Sequence, residues 1–185
     1  MFKNKKNILS FSAFLLLFSV LSGCGYTTKS LLPSYVKTVY VESFKNSIDL
    51  TAEVSNKKPY KLYEPGLENK VTRAIVDQFI FDGTLKVVKD LDEADSVLSG
   101  ELREYIKAPI RYDDNNDVIE FRVNVGVSAR FVDKRKNKTI WEANSFSGDS
   151  DQRTQGTLKK SEDTARGEAV RDLARRIVEK TIEVW

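Results

Sequence analysis

The sequence predicts an α+β fold, a two-layer sandwich in which a mostly antiparallel sheet of four to five strands carries two helices on one face. Three observations predict it. Residues 118–132 alternate without a break, with Ile119, Phe121, Val123, Val125, Val127, Ala129 and Phe131 on one side and Glu120, Arg122, Asn124, Gly126, Ser128 and Arg130 on the other; a period of two is that of a strand with one buried face. Leu67, Val71, Ala74, Ile75 and Phe79 share one helical stripe, and Val170, Leu173, Ala174, Ile177 and Val178 share another. The order of elements is strand, helix, several strands, helix, which suits an antiparallel sheet with the helices gathered on one side.

The chain opens on a leader. Lys3, Lys5 and Lys6 precede a mostly apolar run over residues 8–21, long enough for the core of a signal peptide and short of the ~20 residues that cross hydrocarbon as a helix. Leu21-Ser22-Gly23-Cys24 closes the run. This has the form of a lipoprotein signal: residues 1–23 are expected to be removed and Cys24, the only cysteine, to carry a covalent lipid. Stable membrane anchoring takes more than one acyl chain, and a three-chain anchor on Cys24 would supply it. Gly25 stands where lipoproteins kept in the inner membrane often carry Asp, which favours the outer membrane, with the protein on its periplasmic side. Residues 24–35 contain Thr27, Thr28, Ser30, Pro33 and Ser34 and read as a tether. Residues 36–185 read as one domain.

Within that domain, residues 36–44 are β-rich, and residues 46–63 are polar, with two adjacent lysines and Pro59, and read as a long loop. Pro65-Gly66-Leu67-Glu68 opens the first helix and Asp82-Gly83 ends it. Residues 84–89 form a short strand. Residues 96–107 form a longer one, with Leu98, Leu102 and Ile106 against Ser99, Glu101, Arg103 and Lys107. The alternating strand comes next, then a turn over residues 133–138 and a partner strand over residues 139–147 with Ile140, Trp141 and Phe146. Ser161 is placed to cap the last helix, with Glu162 and Asp163 in its first turn. Asp172 with Arg176 and Arg175 with Glu179 are i,i+4 pairs on its wet face.

Composition excludes most catalysis. The chain has no histidine, and with the one thiol given to lipid, His-based triads, cysteine nucleophiles, Cys/His zinc sites and disulfides are all removed. The 30 basic residues outnumber 27 acids only through the three lysines of the leader. The chain beyond the leader is formally neutral, so nothing recommends nucleic acid as a partner. Asp113, Asn115 and Asp117 have the first spacings of a calcium loop, but Val118 stands where that loop needs Gly and Asn124 where it needs a bidentate Glu. A hairpin turn is the better reading. The expectation is a non-enzyme with no cofactor beyond the covalent lipid. The candidate contacts are cations at the loop edges: Lys134, Arg135 and Lys136 in the hairpin turn, and Arg153, Lys159 and Lys160 before the last helix, each able to hold phosphates of an anionic lipid. Each cluster is also what a solvated turn that blunts a sheet edge would look like.

The linear order of motifs resembles the lipopolysaccharide-assembly lipoprotein family, LptE. The residues that carry the resemblance are Cys24-Gly25-Tyr26, Leu32-Pro33 before Val39-Tyr40-Val41, Phe44-Lys45-Asn46, and Pro65-Gly66-Leu67-Glu68. It continues through Gly83-Thr84-Leu85-Lys86-Val87-Val88, Ala94-Asp95-Ser96-Val97-Leu98-Ser99-Gly100, Ala108-Pro109-Ile110-Arg111-Tyr112 and Ile140-Trp141-Glu142. The polar stretch after Asn46 is longer than the family pattern. The resemblance implies a domain of two helices on a sheet that sits as a plug in the outer-membrane β-barrel LptD, helps that barrel assemble, and binds lipopolysaccharide on its way to the cell surface. It implies no catalytic residue, and it places Lys159 and Lys160 near a lipid-contacting region. A lipoprotein activator of a peptidoglycan synthase, or a component of a secretion assembly, is the alternative, because residues 39–46 resemble the first strand of such proteins too. A hydrolase using carboxylates is a third reading.

Overall fold

The computed structural model describes residues 32–49, 60–62 and 64–183. The leader, Cys24 and most of the expected tether lie outside the described residues, as do residues 50–59 of the long loop. Leu32 and Tyr35, at the end of that tether, pack against the core.

The chain runs β1 (Thr38–Val41), β2 (Lys45–Asn46), β3 (Tyr60–Lys61), α1 (Leu67–Asp82), β4 (Lys86–Val87), a 3-10 turn (Leu91–Glu93), β5 (Ser96–Tyr112), β6 (Val118–Asp133), β7 (Lys138–Arg153) and α2 (Glu162–Ile182). The sheet order is β4-β1-β5-β6-β7, and β2 and β3 add two-residue pairings to β5. β5, β6 and β7 form a continuous antiparallel ladder. The sheet is nevertheless mixed, because β1 lies parallel to both β4 and β5. α1 supplies the crossover that a parallel β1–β4 pair requires.

The period-two reading of β6 holds across the middle of the strand, where Val123, Val125, Val127, Ala129 and Phe131 are buried. Ile119 and Phe121, expected to face inward with them, are only half-buried. The ladder runs on past the start of α2, whose first residue, Glu162, reaches back to Tyr105 and Lys107 of β5. β5 and β7 are also longer than their hydrophobic patterns. β5 continues through Pro109 to Tyr112, with pairing irregularities beyond the proline, and β7 continues through Asp149, Ser150 and Asp151 to Arg153 on hydrogen bonds to β6.

Both helices lie on the apolar face. Leu67, Val71, Ile75 and Phe79 of α1 and Ala165, Ala169, Leu173, Ala174, Ile177 and Val178 of α2 are buried against it. Gly83 ends α1 in the left-handed region at φ 74°, and Ser161 caps α2 by accepting the Thr164 N–H at 3.1 Å.

The layers approach closely at Gly148. A β-carbon there would stand 2.3 Å from both the Ala169 carbonyl oxygen and the Leu173 backbone nitrogen, so the backbone of α2 rests directly on β7. Gly148→Ala is expected to lower stability by about 1–3 kcal/mol in urea unfolding, because neither backbone segment can yield locally. Gly83→Ala, with open space around it, should cost only the ~1–2 kcal/mol of its left-handed backbone.

Candidate functional site

The sheet face away from the helices is polar and open. Its charges are paired across and along the strands: Arg122 with Asp151 at 3.0 Å, Arg130 with Glu142 at 3.1 Å, Arg103 with Glu101 at 2.9 Å. Between them is a shallow dish of about 370 Å³ lined by Glu42, Ser99, Glu101, Arg103, Arg130 and Asn144. Farther along the same face Gly126 carries no side chain, and the Glu104 side chain lies across it. The face offers charge and hydrogen bonds over the whole length of the ladder.

The six cations singled out in the sequence fall into two groups at opposite ends of this ladder. β7 has 16 residues between them, a separation of about 50 Å at ~3.4 Å per residue. At one end, the β6–β7 turn holds Lys134, Arg135 and Lys136. Arg135 pairs with Asp95 at 2.7 Å, Lys134 reaches the Leu91 carbonyl at 2.5 Å, and the ammonium of Lys136 lies 5.0 Å from the centre of the Tyr35 ring.

Asp95 organises this end. It accepts the backbone N–H groups of Lys37 at 2.9 Å and Thr38 at 3.1 Å, and it pairs with Arg135. The hydrogen bond from the Lys37 backbone, followed by those from Thr38 and Arg135, holds its carboxyl below the usual carboxylate range despite burial. Asp133 accepts the Tyr35 hydroxyl. Burial opposes its ionisation, but that bond and the Lys136 N–H outweigh it and also lower its pKa. Two carboxylates therefore tie the start of the domain to the hairpin turn.

At the far end, Arg153 is the last residue of β7 rather than part of a loop, and it meets the buried Glu120 at 2.9 Å. Arg111 approaches the other oxygen of the same carboxylate at 3.3 Å. Lys160 contacts Glu168 at 2.5 Å and Ser150 at 3.1 Å. Lys159 is exposed and makes no ion pair among the described residues. Of the six, it is the one most available to an outside anion. The Asp113–Asp117 turn is a hydrogen-bonded hairpin, with Asp113 accepting the N–H groups of Asn115 and Asp117 and Asn116 at φ 67°.

One cluster had no sequence signal. The Tyr105 hydroxyl, Lys107 and Glu162 meet where α2 begins, at 3.0 Å and 2.6 Å, and Arg166 beside them pairs with Glu64 at 2.5 Å. The Lys107 contact, with help from Tyr105, lowers the pKa of Glu162. Burial, with the Glu162 charge added, pushes the phenol of Tyr105 up to about 12. No spacing of residues 105, 107 and 162 announces this, because the fold alone joins them.

A family model for lipopolysaccharide-assembly proteins, LptE, matches residues 36–181. The chain belongs to the LptE family. That match takes in every strand and nearly all of both helices of the described domain, and it gives this LptE-family chain a role in lipopolysaccharide assembly. No curated protein matches the sequence. Among solved structures the fold is similar to the hypothetical protein CT253 of Chlamydia trachomatis, at a TM-score of 0.52 and 15% identity over 78% of this chain and 94% of that one. It is also similar to the uncharacterized lipoprotein B of Nitrosomonas europaea, at a TM-score of 0.52 and 13% identity over 85% and 87%. At such identities the likeness is one of fold.

Two titrations test the geometry. In an alkaline ultraviolet titration Tyr105 should ionise near pH 12, about two units above an ordinary tyrosine, and Tyr105→Phe should remove that late step. Because the folded-state pKa is raised, its stabilisation is complete below about pH 10 and lost between about 10 and 12. Asp95 has the opposite sign: its folded-state pKa is lowered, so the stability gap between wild type and Asp95→Asn should be largest near neutrality and close as pH falls through the carboxylate range.

Proposed function

We propose that this LptE-family chain is an outer-membrane lipoprotein, held on the periplasmic side by lipid on Cys24, that partners an LptD-like β-barrel as plug and assembly factor and binds lipopolysaccharide during its transport. The observation that carries the proposal is the open polar face of the β5–β6–β7 ladder. Strands of 16 and 17 residues are about 50 Å long, enough to run through a barrel whose apolar band is about 25 Å tall. A face already charge-paired within itself, as Arg122–Asp151 and Arg130–Glu142 are, meets the polar inner wall of a barrel without stranding a buried charge.

In this reading the far end of the ladder meets the lipid. Lys159, with Lys160 and Arg153 behind it, offers cations to lipopolysaccharide phosphates, and the exposed Ile110, Tyr112 and Leu158 at the same end offer apolar contact. The chain performs no chemistry on its cargo, and its role is to bind and to position.

Tagged protein purified from detergent-solubilised outer membranes is expected to bring down a β-barrel partner and to label with palmitate, with both the label and the outer-membrane location lost in Cys24→Ser. Depletion should remove lipopolysaccharide from the cell surface. Normal surface lipopolysaccharide with altered wall synthesis would replace this reading with the peptidoglycan-synthase alternative.

A further inference from the structure

Among the described residues the exposed large apolar side chains fall at the two ends of the ladder. Ile110, Tyr112 and Leu158 stand at the far end of the ladder, while Ile80, Phe81 and Leu91 stand at the other, at 64%, 85% and 42% exposure. Ile80 and Phe81 lie in the last turn of α1, and a few residues later Lys86 pairs in register with Thr38. The four residues from Asp82 to Lys86 span at most about 14 Å. The Leu91 carbonyl holds Lys134 of the hairpin turn, and that turn is joined through Asp95 and Asp133 to the backbone of residues 37–38 and to the Tyr35 hydroxyl. The apolar trio, the cationic turn and the first described residues of the chain thus share one end of the domain.

The described chain begins at this end with Leu32, eight residues from Cys24. Eight residues reach at most about 28 Å. A lipid on Cys24 therefore keeps this end, and not the far end of the ladder, within reach of its bilayer. Lys86, Lys89, Lys136 and Lys138 have no ion pair among the described residues, and all four are exposed. Of the nearby acids, Asp95 pairs with Arg135 and Asp92 lies 3.7 Å from Lys134, Glu93 is exposed beside Leu91, and Asp82 and Asp90 accept N–H groups of their own turns while keeping their charge.

We infer that this end is a second membrane contact, in which Phe81, Ile80 and Leu91 enter the interface of the bilayer that holds the lipid and Lys86, Lys89, Lys136 and Lys138 meet its anionic headgroups. The inference rests on the proposed anchor at Cys24. An apolar edge with lysines beside it adds to an anchor by the same interfacial physics that holds amphipathic helices. It also fixes orientation, because a domain held through its N-terminal end alone could lie at any angle. With this end held at the interface, the ladder is aligned across the membrane plane rather than along it.

The test uses the chain from residue 24 onward carrying Cys24→Ser, which keeps the entire buried core, since its members lie between Val36 and Val178. Flotation with phosphatidylcholine vesicles containing about one third phosphatidylglycerol should show binding that falls about tenfold in Ile80→Ser/Phe81→Ser. It should fall by a similar factor when phosphatidylglycerol is omitted. In Phe81→Cys the lone thiol, labelled with an environment-sensitive dye, should be quenched by nitroxide lipids, whereas a label at Leu158→Cys should stay aqueous. Equal flotation of parent and double variant overturns the inference. So does burial of the label at position 81 by a second copy of the chain without vesicles, or by the barrel partner alone. Palmitate labelling of wild type reports on the anchor independently, so failure of the anchor and failure of this contact give different results.

Discussion

Burial of the β5–β6–β7 ladder on one face only is the constraint from which the other features descend. An antiparallel sheet of this length cannot stay in water with both faces apolar, and its sequence makes only one of them so. Both helices must therefore settle on the same side, and they do so in a layer that begins at Glu162 and leaves the outermost pairs of the ladder uncovered. Small residues let α2 come close: Ala165 and Ala169 lie fully buried beneath it, and Gly148 removes the one side chain that would hold its backbone away from β7. Among the described residues the opposite face has no second layer to satisfy its polar groups, and it pairs its charges internally. Such pairs, half exposed, contribute little to stability individually. Their effect is to present a surface that is hydrophilic yet nearly balanced in charge.

Each end of the ladder is organised by a carboxylate surrounded by donors. At one end Asp95 gathers β1, the start of β5 and the β6–β7 turn. At the other, Glu120 is 4% exposed and gathers Arg111 and Arg153. The cations that look like loose surface charge in the sequence are therefore unequal. Arg135 and Arg153 are already engaged with Asp95 and Glu120 and are poorly placed to release them for a ligand, whereas Lys159 has no ion-pair partner among the described residues to give up.

Much of this was legible in the residues. The period of β6, the two helical stripes, the Ser161 cap and the Gly83 stop all appear in the structure, because each is set by neighbours within one element. The features that the sequence concealed are set between elements. The last six residues of β7, Gly148 to Arg153, contain no large apolar side chain, and they are a strand because β6 supplies hydrogen bonds and Arg122 and Arg153 supply ion pairs. The parallel pairing of β1 depends on where α1 returns the chain. The Tyr105–Lys107–Glu162 cluster joins residues more than fifty positions apart, and the split of the basic residues into two ends is fixed only by the register of the hairpin.

The position of β1 has a mechanical consequence. The first strand of the domain lies inside the sheet, parallel to β4 on one side and β5 on the other, and its first residues are clamped by Asp95. A pull on the chain ahead of residue 36 is directed along this strand, so its hydrogen bonds on both edges bear the load together in shear instead of opening one after another. A domain drawn against a membrane or a barrel by its N-terminus is thus gripped at the part of its sheet least able to unzip.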